Sequence, residues 1–395
     1  MPKTIAITPS WYWPPGIARA VGIPPFSLNE LCIRRWARDR PDALAIADGK
    51  ERLTYADLAA EIGRVAGVLA SSDAPIDRAV LSTSTTLDGV IVFFAALEAG
   101  FHVQIRDPAR SASATASFAS APVFTDAERH RASAGSIEKP ESRPRGLTDP
   151  ILAISTGNRL ANHSHHSLLG STIGLATFLD LGGTRPWLAT LPLERWEGIL
   201  SVLVPLYAGL PLILAEPDAE TFADTIQREQ VAFAFQDLAT VADWTRQAKK
   251  PIKRARGTLE AMLLSCPGAF EADTRRRVAK AFDCPALTVF GLPETGPIFV
   301  AHPSWCPDDS IGIPLSNMNV VPADPRTGLP IQTWWDQVNS AEVTVRGPSV
   351  MCGYDGMADR RAFLDGRFRT DVVGSSDANG MIYLAPDWSA AMMRL

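Results

Sequence analysis

Short apolar runs alternate with helical segments over most of the chain, and this alternation limits the possible fold more than any other feature. Segment 78–82 has the pattern of a short buried strand, 88–100 that of an almost wholly apolar helix, and 102–105 that of the next strand. Strands that alternate with helices favour mainly parallel sheets covered on both faces. Because the alternation continues from 188 to 265, the sequence predicts two packed α/β subdomains with mainly parallel sheets.

The pattern changes toward the carboxyl end of the sequence. From 309 onward, the segments SIGIPL, MNVVPA, AEVTVRG and GMIYLA have the pattern of short strands joined by proline and glycine turns, which predicts a small β-barrel or a curled sheet. The polar segment 131–148 is predicted to be a disordered loop. The predicted divisions are an N-terminal arm over 1–26, the two α/β subdomains over 27–308, the β-barrel subdomain over 309–386 and a hinge remnant over 387–395.

Composition and charge exclude several classes of protein. A chain of 395 residues suits two or three packed subdomains, and a formal net charge of -5 gives no basic surface for a nucleic-acid partner. The five cysteines never form a C-x-x-C pair, which is typical of a reduced cytoplasmic protein without a structural zinc site. Proline and glycine interrupt the most apolar stretch, 199–215, so it predicts a helix, a turn and a buried strand, and no membrane partner.

One segment combines the residue types that bind phosphate. Within 151–169, an apolar run is followed by Ser155, Thr156 and Gly157 and then by the cation Arg159, before the apolar spacing resumes. This order predicts a strand, a tight loop and a helix. Such a loop can turn N–H groups and hydroxyls toward a phosphate while the cation neutralises its charge. An ordinary surface turn explains the same residues, so the segment alone leaves both interpretations open.

Several other segments occur in the order of a known family. They are ERLTYADLAAEIGRVAGVL, ISTGNR, SHHSLL, LPLERWEGILSVLVPLYAGLPLIL, MLLSCPGAFEADTRRRV, FGLPETG, SIGIPL, EVTVRGPSVMCGYDG and GRFRTDVVG. With them, the chain resembles the N-terminal core of the adenylate-forming superfamily, which contains acyl-CoA and aryl-CoA synthetases, adenylation domains and luciferases. The resemblance extends from about 27 to 386. It implies an acyl-CoA synthetase-like fold, ATP and Mg²⁺ as cofactors, and activation of a small carboxylic acid.

The resemblance implies catalytic roles for three residues. Glu294 stands where the family has an acidic residue that helps to hold Mg²⁺, which makes it the predicted metal ligand. Arg159 replaces the lysine of the phosphate loop and can still meet a phosphate. His165 belongs to the Ser/Thr-His pair that opens the next helix. For His163, His165 and His166, roles in helix entry or at the surface are favoured over a metal cluster.

The resemblance also implies a set of nucleotide contacts. These are Ser155, Thr156 and Gly157 for the phosphates, Gly268 and Ala269 along the adenine, Phe290 stacked on the adenine, Gly291 beside it, and Asp371 for the ribose. Two departures affect this set. Pro293 replaces a threonine and so removes one hydroxyl ligand for phosphate. Counting without gaps puts Val372 at the position of the ribose-binding aspartate, and Asp371 takes that role only if the loop is shifted by one residue.

The predicted acid-binding residues lie in the segment LPLERWEG. The family has an aromatic residue and a histidine where this chain has Glu194 and Arg195, and Trp196 follows. A buried charged pair at this place can bind a polar substrate. A surface ion pair that contributes little is the alternative interpretation. Arg195 and Trp196 are therefore candidate substrate contacts.

The end of the sequence suggests that one part of the family's machinery is absent. In the family, a smaller C-terminal domain follows the hinge and delivers a lysine during adenylation, and here Asp387 replaces the arginine of the hinge. We expect a separate protein to supply this lid domain. Two functions stay open: AMP-forming activation of an acid, with CoA or a carrier protein as acceptor, or a catalytically degenerate homologue that binds a nucleotide, an acyl compound or another protein.

Overall fold

The computed structural model describes residue 8 and residues 12–71, 77–108, 116–133, 145–157, 159–266, 268–331, 338–356 and 362–385. The strands, in chain order, are β1 (Leu44–Ala47), β2 (Arg52–Thr54), β3 (Arg78–Ser82), β4 (His102–Arg106), β5 (Val123–Thr125), β6 (Leu152–Thr156), β7 (Arg159–His163), β8 (Trp187–Ala189), β9 (Leu212–Leu214), β10 (Phe233–Asp237), β11 (Ala261–Ser265), β12 (Ala286–Leu292), β13 (Gly296–Val300), β14 (Ile313–Pro314), β15 (Asn319–Ala323), β16 (Val338–Arg346), β17 (Gly353–Tyr354), β18 (Phe363–Leu364), β19 (Arg367–Ser376) and β20 (Ile382–Leu384).

The helices cover the faces of the sheets. In chain order they are α1 (Arg35–Asp39), α2 (Tyr55–Ala70), α3 (Leu87–Glu98), α4 (Ala127–Ser133), α5 (His165–Phe178), α6 (Trp196–Ala208), α7 (Ala219–Glu229), α8 (Leu238–Gln247), α9 (Lys249–Arg254) and α10 (Thr274–Phe282). A π-helical turn, Glu30–Arg34, leads into α1. Capping boxes begin α2 at Thr54 and α5 at Ser164, because each hydroxyl accepts a backbone N–H three residues later.

A nine-stranded sheet holds much of the core. Its order is β14-β13-β12-β11-β10-β8-β9-β1-β2, in which the six strands from β12 to β1 are parallel and the flanking strands are antiparallel. The strands β8, β9 and β11 are buried along their whole length, as expected for parallel strands covered by helices on both faces. The parallel strands therefore bring their carboxyl ends to one common edge.

A six-stranded sheet and a five-stranded sheet complete the fold. The six strands have the order β17-β7-β6-β4-β3-β5, with parallel pairing from β6 to β5 and antiparallel pairing of β7 with β6 and β17. The five strands β15, β16, β18, β19 and β20 pair antiparallel. Among the strands that the structure describes, these five form an open sheet and no pairing closes the predicted barrel.

The order of the chain does not follow the order of the sheets. The strands β1 and β2 precede the six-stranded sheet in sequence but belong to the nine-stranded one, in which β1 pairs with β9 and β2 pairs with β1. In the same way, β14 ends the nine-stranded sheet and β17 joins the six-stranded sheet, although both follow residue 309. The predicted divisions stay predictions. The hinge remnant at 387–395 and most of the predicted loop at 131–148 lie outside the described residues.

Candidate functional site

The predicted phosphate loop forms the turn of a β-hairpin. The expected strand-loop-helix order is wrong in one respect, because β7 lies between the loop and α5 and pairs antiparallel with β6. Thr156 faces Arg159 across this hairpin, and Gly157 lies in the turn with a φ of 62°. Glycine adopts this left-handed conformation without the steric cost of a side chain. Ser155, Gly157 and Arg159 are exposed at the tip, where a ligand can reach them.

Glu294 connects the nine-stranded sheet to this hairpin. It lies in the turn between β12 and β13, and its side chain is buried. The Thr156 hydroxyl donates to Glu294 Oε1 at 2.8 Å, and the Tyr354 hydroxyl donates to the same oxygen at 3.0 Å. The Glu294 carbonyl also accepts the Met351 N–H at 2.8 Å. Residues from distant parts of the sequence are thus held around one carboxylate.

Tyr354 is a site residue that the sequence analysis missed. It lies on β17, and the guanidinium carbon of Arg159 is 4.9 Å from the centre of its ring. Burial and the negative charge of Glu294 raise the pKa of its hydroxyl, which keeps the hydroxyl protonated as a donor. The segment MCGYDG carried the only signal, a tyrosine after a glycine turn, and this signal does not identify a partner.

The histidines near α5 support the loops in a neutral state. His163 Nε2 donates to the Pro293 carbonyl at 2.7 Å, and its Nδ1 is 3.2 Å from Ser167 Oγ. Nδ1 of the buried His165 accepts the Leu28 N–H at 3.2 Å. Burial lowers the pKa of both histidines to about 4. His165 therefore contacts the start of the core, and its catalytic role stays a prediction. No cluster of three metal-binding side chains occurs in the part of the chain that the structure describes.

Asp371 lies in a bulge of β19. Between two pairs of this ladder, β16 advances from 342 to 344 while β19 advances from 369 to 373, so β19 carries two extra residues. Asp371 has a φ of 57° and an exposed side chain, whereas Val372 is 0% exposed. Of these two, only Asp371 can meet a ribose without repacking. Its ribose role stays a prediction.

The charges around Asp371 link it to the hairpin. Neighbouring atoms desolvate its carboxylate and raise its pKa, and the charge of Glu342 raises it further, while Arg369 and Arg159 act in the opposite direction. Glu342 is buried and pairs with Arg369, and it also accepts the Asp371 N–H at 3.3 Å. The carboxylate of Asp371 and the guanidinium of Arg159 therefore act on one another.

The predicted adenine contacts are less accessible than the phosphate loop. Phe290 is 0% exposed, and its ring centre is 6.1 Å from that of Phe299, so stacking on adenine would require neighbouring side chains to move. Position 291 requires glycine because the backbone of Gly296 lies close to it: a Cβ there would be 2.2 Å from the Gly296 carbonyl oxygen. Gly268 is half-buried and Ala269 is exposed, after the end of β11. The roles of these four residues in adenine binding stay predictions.

The predicted acid-binding residues lie at the carboxyl edge of the nine-stranded sheet. Arg195 Nη2 is 2.7 Å from Glu197 Oε1 and Nε is 3.2 Å from Oε2, while Nη1 is 3.7 Å from Asp237 Oδ2. Burial is the largest single influence on the pKa of Arg195 and acts to lower it. The hydrogen bond with Glu197 and the negative charges of Glu197, Asp237 and Glu194 together outweigh burial, so the pKa rises. Ser265 Oγ donates to Glu197 Oε1 at 2.8 Å. Trp196 is buried edge-on against Phe235. The sequence analysis missed Glu197, the most buried charge of this group.

Comparisons with curated proteins point to enzymes that join acids to CoA. A 2-succinylbenzoate–CoA ligase of Bacillus licheniformis is 27% identical over 224 residues, which cover 54% of this chain and 44% of the ligase. The chain thus matches less than half the length of that relative. A feruloyl-CoA synthase of Amycolatopsis sp is 25% identical over 394 residues, covering 90% of this chain and 78% of the synthase.

Solved structures share the fold. ATP-bound MatB from Rhodopseudomonas palustris superposes with a TM-score of 0.77 at 20% identity, over 91% of this chain and 78% of that one. The N-terminal domain of FACL13 from Mycobacterium tuberculosis has a TM-score of 0.79 at 17% identity, over 91% of this chain and 99% of that domain. The predicted acyl-CoA synthetase-like α/β fold is therefore confirmed. In the described part of the chain, no helix has both the length and the apolar character to cross a membrane.

A family model described as AMP-binding enzyme matches residues 33–121 and 155–355. The matched residues make up more than half of the chain and include the hairpin, Glu294 and Tyr354. The resemblance to the adenylate-forming superfamily is thereby confirmed, and the chain belongs to the AMP-binding enzyme family.

Proposed function

We propose that this protein activates a carboxylic acid with Mg-ATP to give an acyl-adenylate and pyrophosphate. An oxygen of the acid attacks the α-phosphorus and forms the new P–O bond. The bond from the α-phosphorus to the oxygen that bridges it to the β-phosphate breaks, and pyrophosphate leaves with that oxygen. Such a reaction needs positioning and neutralisation of charge more than covalent help from the protein.

One observation carries the proposal: the carboxylate of Glu294 is held against the phosphate-loop hairpin by Thr156 and Tyr354. Both hydrogen bonds end on Oε1. In this proposal Oε2 is the oxygen that would bind Mg²⁺. Mg²⁺ in nucleotide sites takes one or two carboxylates, waters and substrate phosphates, and needs no cluster of protein ligands. Glu294 and the Thr156 hydroxyl supply only oxygen and therefore fit this ion. Bound Mg²⁺ would neutralise charge on the phosphates.

The other side chains of the site have matching tasks. Arg159, exposed at the hairpin tip, can neutralise phosphate oxygens as charge moves to the leaving pyrophosphate. Ser155 and the backbone of Gly157 can donate hydrogen bonds to the same phosphates. The carboxylate of Asp371 suits the two hydroxyls of a ribose. Arg195 and Trp196 are the proposed acid contacts.

The names of the relatives support a proposal for the acceptor of the acyl group. Those named above are a CoA ligase and a CoA synthase, so we propose CoA as acceptor, with a carrier protein as the alternative.

Calorimetric titration with Mg-ATP tests the proposal most directly. We expect micromolar binding that Glu294→Gln weakens at least tenfold, because glutamine keeps the hydrogen-bond acceptor but loses the charge that faces Mg²⁺. Glu260→Gln, at an exposed ion pair with Arg185, is the matched control and should bind as the wild type does. Pyrophosphate exchange with a panel of acids then identifies the substrate. Absence of binding at millimolar Mg-ATP would refute the proposal.

A second candidate is a homologue that has lost catalysis and binds a nucleotide, an acyl compound or a protein. The full burial of Phe290 and the proline at 293 favour it, since both remove contacts that the family uses for the nucleotide. The two candidates differ in one result. Nucleotide binding without pyrophosphate exchange for any acid of the panel would favour the degenerate homologue.

A further inference from the structure

A charged group occupies the edge of the nine-stranded sheet where ligands of open α/β sheets bind. Asp237 ends β10 and Ser265 ends β11, and Arg195 precedes α6 in the connection that follows β8. The strands β8, β10 and β11 are neighbours and run parallel, so their carboxyl ends lie side by side. Crevices outside the carboxyl ends of such strands are the usual ligand sites of this architecture.

This edge continues into the loop that carries Glu294. Ser265 pairs with Val289 in the sheet, and the Cys266 N–H donates to the Val289 carbonyl at 3.1 Å. The chain then runs from Val289 through Phe290 to the turn at Glu294. The charged group therefore lies at the same edge of the sheet from which the chain continues to the proposed metal ligand.

The guanidinium of Arg195 is already used by carboxylates of the protein. Glu197 takes two of its nitrogens and is itself only 4% exposed, and Ser265 completes the bonds to Glu197. The third nitrogen faces Asp237 at 3.7 Å. One positive charge thus stands between two negative charges, and the negative charge of Glu194 acts on it as well.

Asp237 is the negatively charged residue of this group that a substrate can reach. Its side chain is 20% exposed and that of Arg195 is 32% exposed, whereas Glu197 is buried. Asp237 Oδ1 accepts the Thr240 N–H and caps α8, and Oδ2 faces Arg195 from beyond ideal hydrogen-bond distance. Oδ2 is therefore an acceptor that can take a hydrogen bond from a ligand.

These contacts decide which acids the crevice can hold. A second carboxylate would meet an excess of negative charge, and it could bind Arg195 only by displacing Glu197, which would leave a buried charge without its partner. A hydroxyl or an amine would instead donate to Asp237 without disturbing the pair. We propose, on the basis of the proposed function, that the acid carries a hydroxyl or amino group at its far end, and that acids with a second carboxylate are rejected.

The test compares acids of one size, 4-hydroxybenzoate, 4-aminobenzoate, 4-methylbenzoate and terephthalate. Each is titrated by calorimetry into the protein saturated with Mg²⁺ and α,β-methylene-ATP, which cannot be split at the α-phosphorus. We expect the hydroxy and amino acids to bind at least tenfold more tightly than terephthalate, and more tightly than the methyl acid. The wild-type ratio alone is sufficient to test the proposal.

A variant tests whether Asp237 causes the selectivity. Asp237→Asn keeps an oxygen acceptor and the cap of α8 but removes the charge, so the preference over terephthalate should fall at least threefold. Asp243→Asn, an exposed residue on the same helix, is the control and should leave the ratio unchanged.

Three results would overturn this inference, and a fourth would overturn the proposed function as well. Terephthalate that binds as well as the hydroxy acid, or a bound nucleotide with no binding of any of the acids, contradicts the selectivity. An unchanged ratio in Asp237→Asn contradicts the role of Asp237 in it. All three results leave the proposed function standing. A failure of the nucleotide analogue itself to bind refutes the proposed function and this inference with it.

Discussion

Tyr354 joins two residues that the sequence analysis treated separately. Its hydroxyl donates to Glu294 and its ring lies under Arg159. Tyr354→Phe removes only the hydroxyl, and we expect Mg-ATP affinity to fall roughly tenfold, since a hydrogen bond to a charged group contributes about 1.5 kcal/mol. Tyr354→Leu removes the ring as well, and the lost cation–π contact should lower affinity about threefold further. Calorimetric titration of both variants measures the two steps.

A matched tyrosine separates this effect from a general loss of stability. Tyr383, in the five-stranded sheet, donates to Asp377 at 3.2 Å and so makes the same kind of hydrogen bond away from the hairpin. Tyr383→Phe should leave Mg-ATP affinity unchanged. An equal loss of affinity in the two phenylalanine variants would contradict a specific role for Tyr354.

The buried histidines predict a pH dependence of stability. Burial lowers the pKa of His163 and of His165 from 6.5 to about 4. Between these values the unfolded chain binds protons that the folded chain does not, so the free energy of unfolding falls as pH falls from 6.5 toward 4. The loss is up to about 3 kcal/mol for each histidine. Above pH 6.5 this contribution is complete and constant.

Urea unfolding at pH 7.5 and at pH 5 measures this loss, and a variant assigns it. Gln at position 165 can still accept the Leu28 N–H but does not titrate. His165→Gln should therefore lose less stability between the two pH values than the wild type does. Equal losses in both proteins would show that His165 titrates with an ordinary pKa when folded.

At the scale of elements, a salt bridge fixes the short strand β17. Arg78 Nη1 is 2.9 Å and Nη2 is 3.1 Å from the carboxylate oxygens of Asp355, which follows Tyr354 and is mostly buried. Asp355→Asn breaks this bidentate pair, and we expect it to lower the free energy of unfolding by about 2 kcal/mol. Mg-ATP affinity should fall too, because β17 carries Tyr354. Chemical denaturation and calorimetry measure the two effects.

A solvent-exposed pair provides the comparison. Arg256 and Asp283 are 3.4 Å apart and both are more than half exposed. Asp283→Asn should change the free energy of unfolding by less than about 0.5 kcal/mol, since exposed ion pairs contribute little. If Asp355→Asn and Asp283→Asn changed the free energy of unfolding equally, the salt bridge with Arg78 would not stabilise β17.

The sequence predicted elements well where the signal is local. The apolar stretch 199–215 forms most of α6, which continues through Pro205 and ends before Gly209, and then β9. The pattern at 78–82 is β3. The strand β7 was missed because Arg159–His163 is rich in polar side chains, and it is a strand through its pairing with β6 and β17. The bulge at Asp371 was missed because the register with β16 creates it. Both features depend on contacts between segments distant in sequence.

At the scale of the whole molecule, the candidate site draws on all three sheets. The hairpin and Tyr354 belong to the six-stranded sheet, Glu294 to the nine-stranded sheet and Asp371 to the five-stranded one. The order of motifs was enough to predict the fold and to select Thr156, Arg159 and Glu294. It did not identify Tyr354 or Glu197, because the partners of these side chains depend on how the sheets pack together.

A site shared among three sheets should couple their stabilities. A nucleotide that binds only the folded chain raises the free energy of unfolding by about 2.7 kcal/mol at a concentration of 100 times its Kd. We expect Mg-ATP to raise the Tm by several degrees in scanning calorimetry, and to move every transition if the chain unfolds in more than one. Mg²⁺ alone and Glu294→Gln with Mg-ATP should give much smaller shifts. If one transition moved while another stayed fixed, the ligand would contact only part of the site. Glu294, Thr156 and Asp371 would then not all contribute to binding.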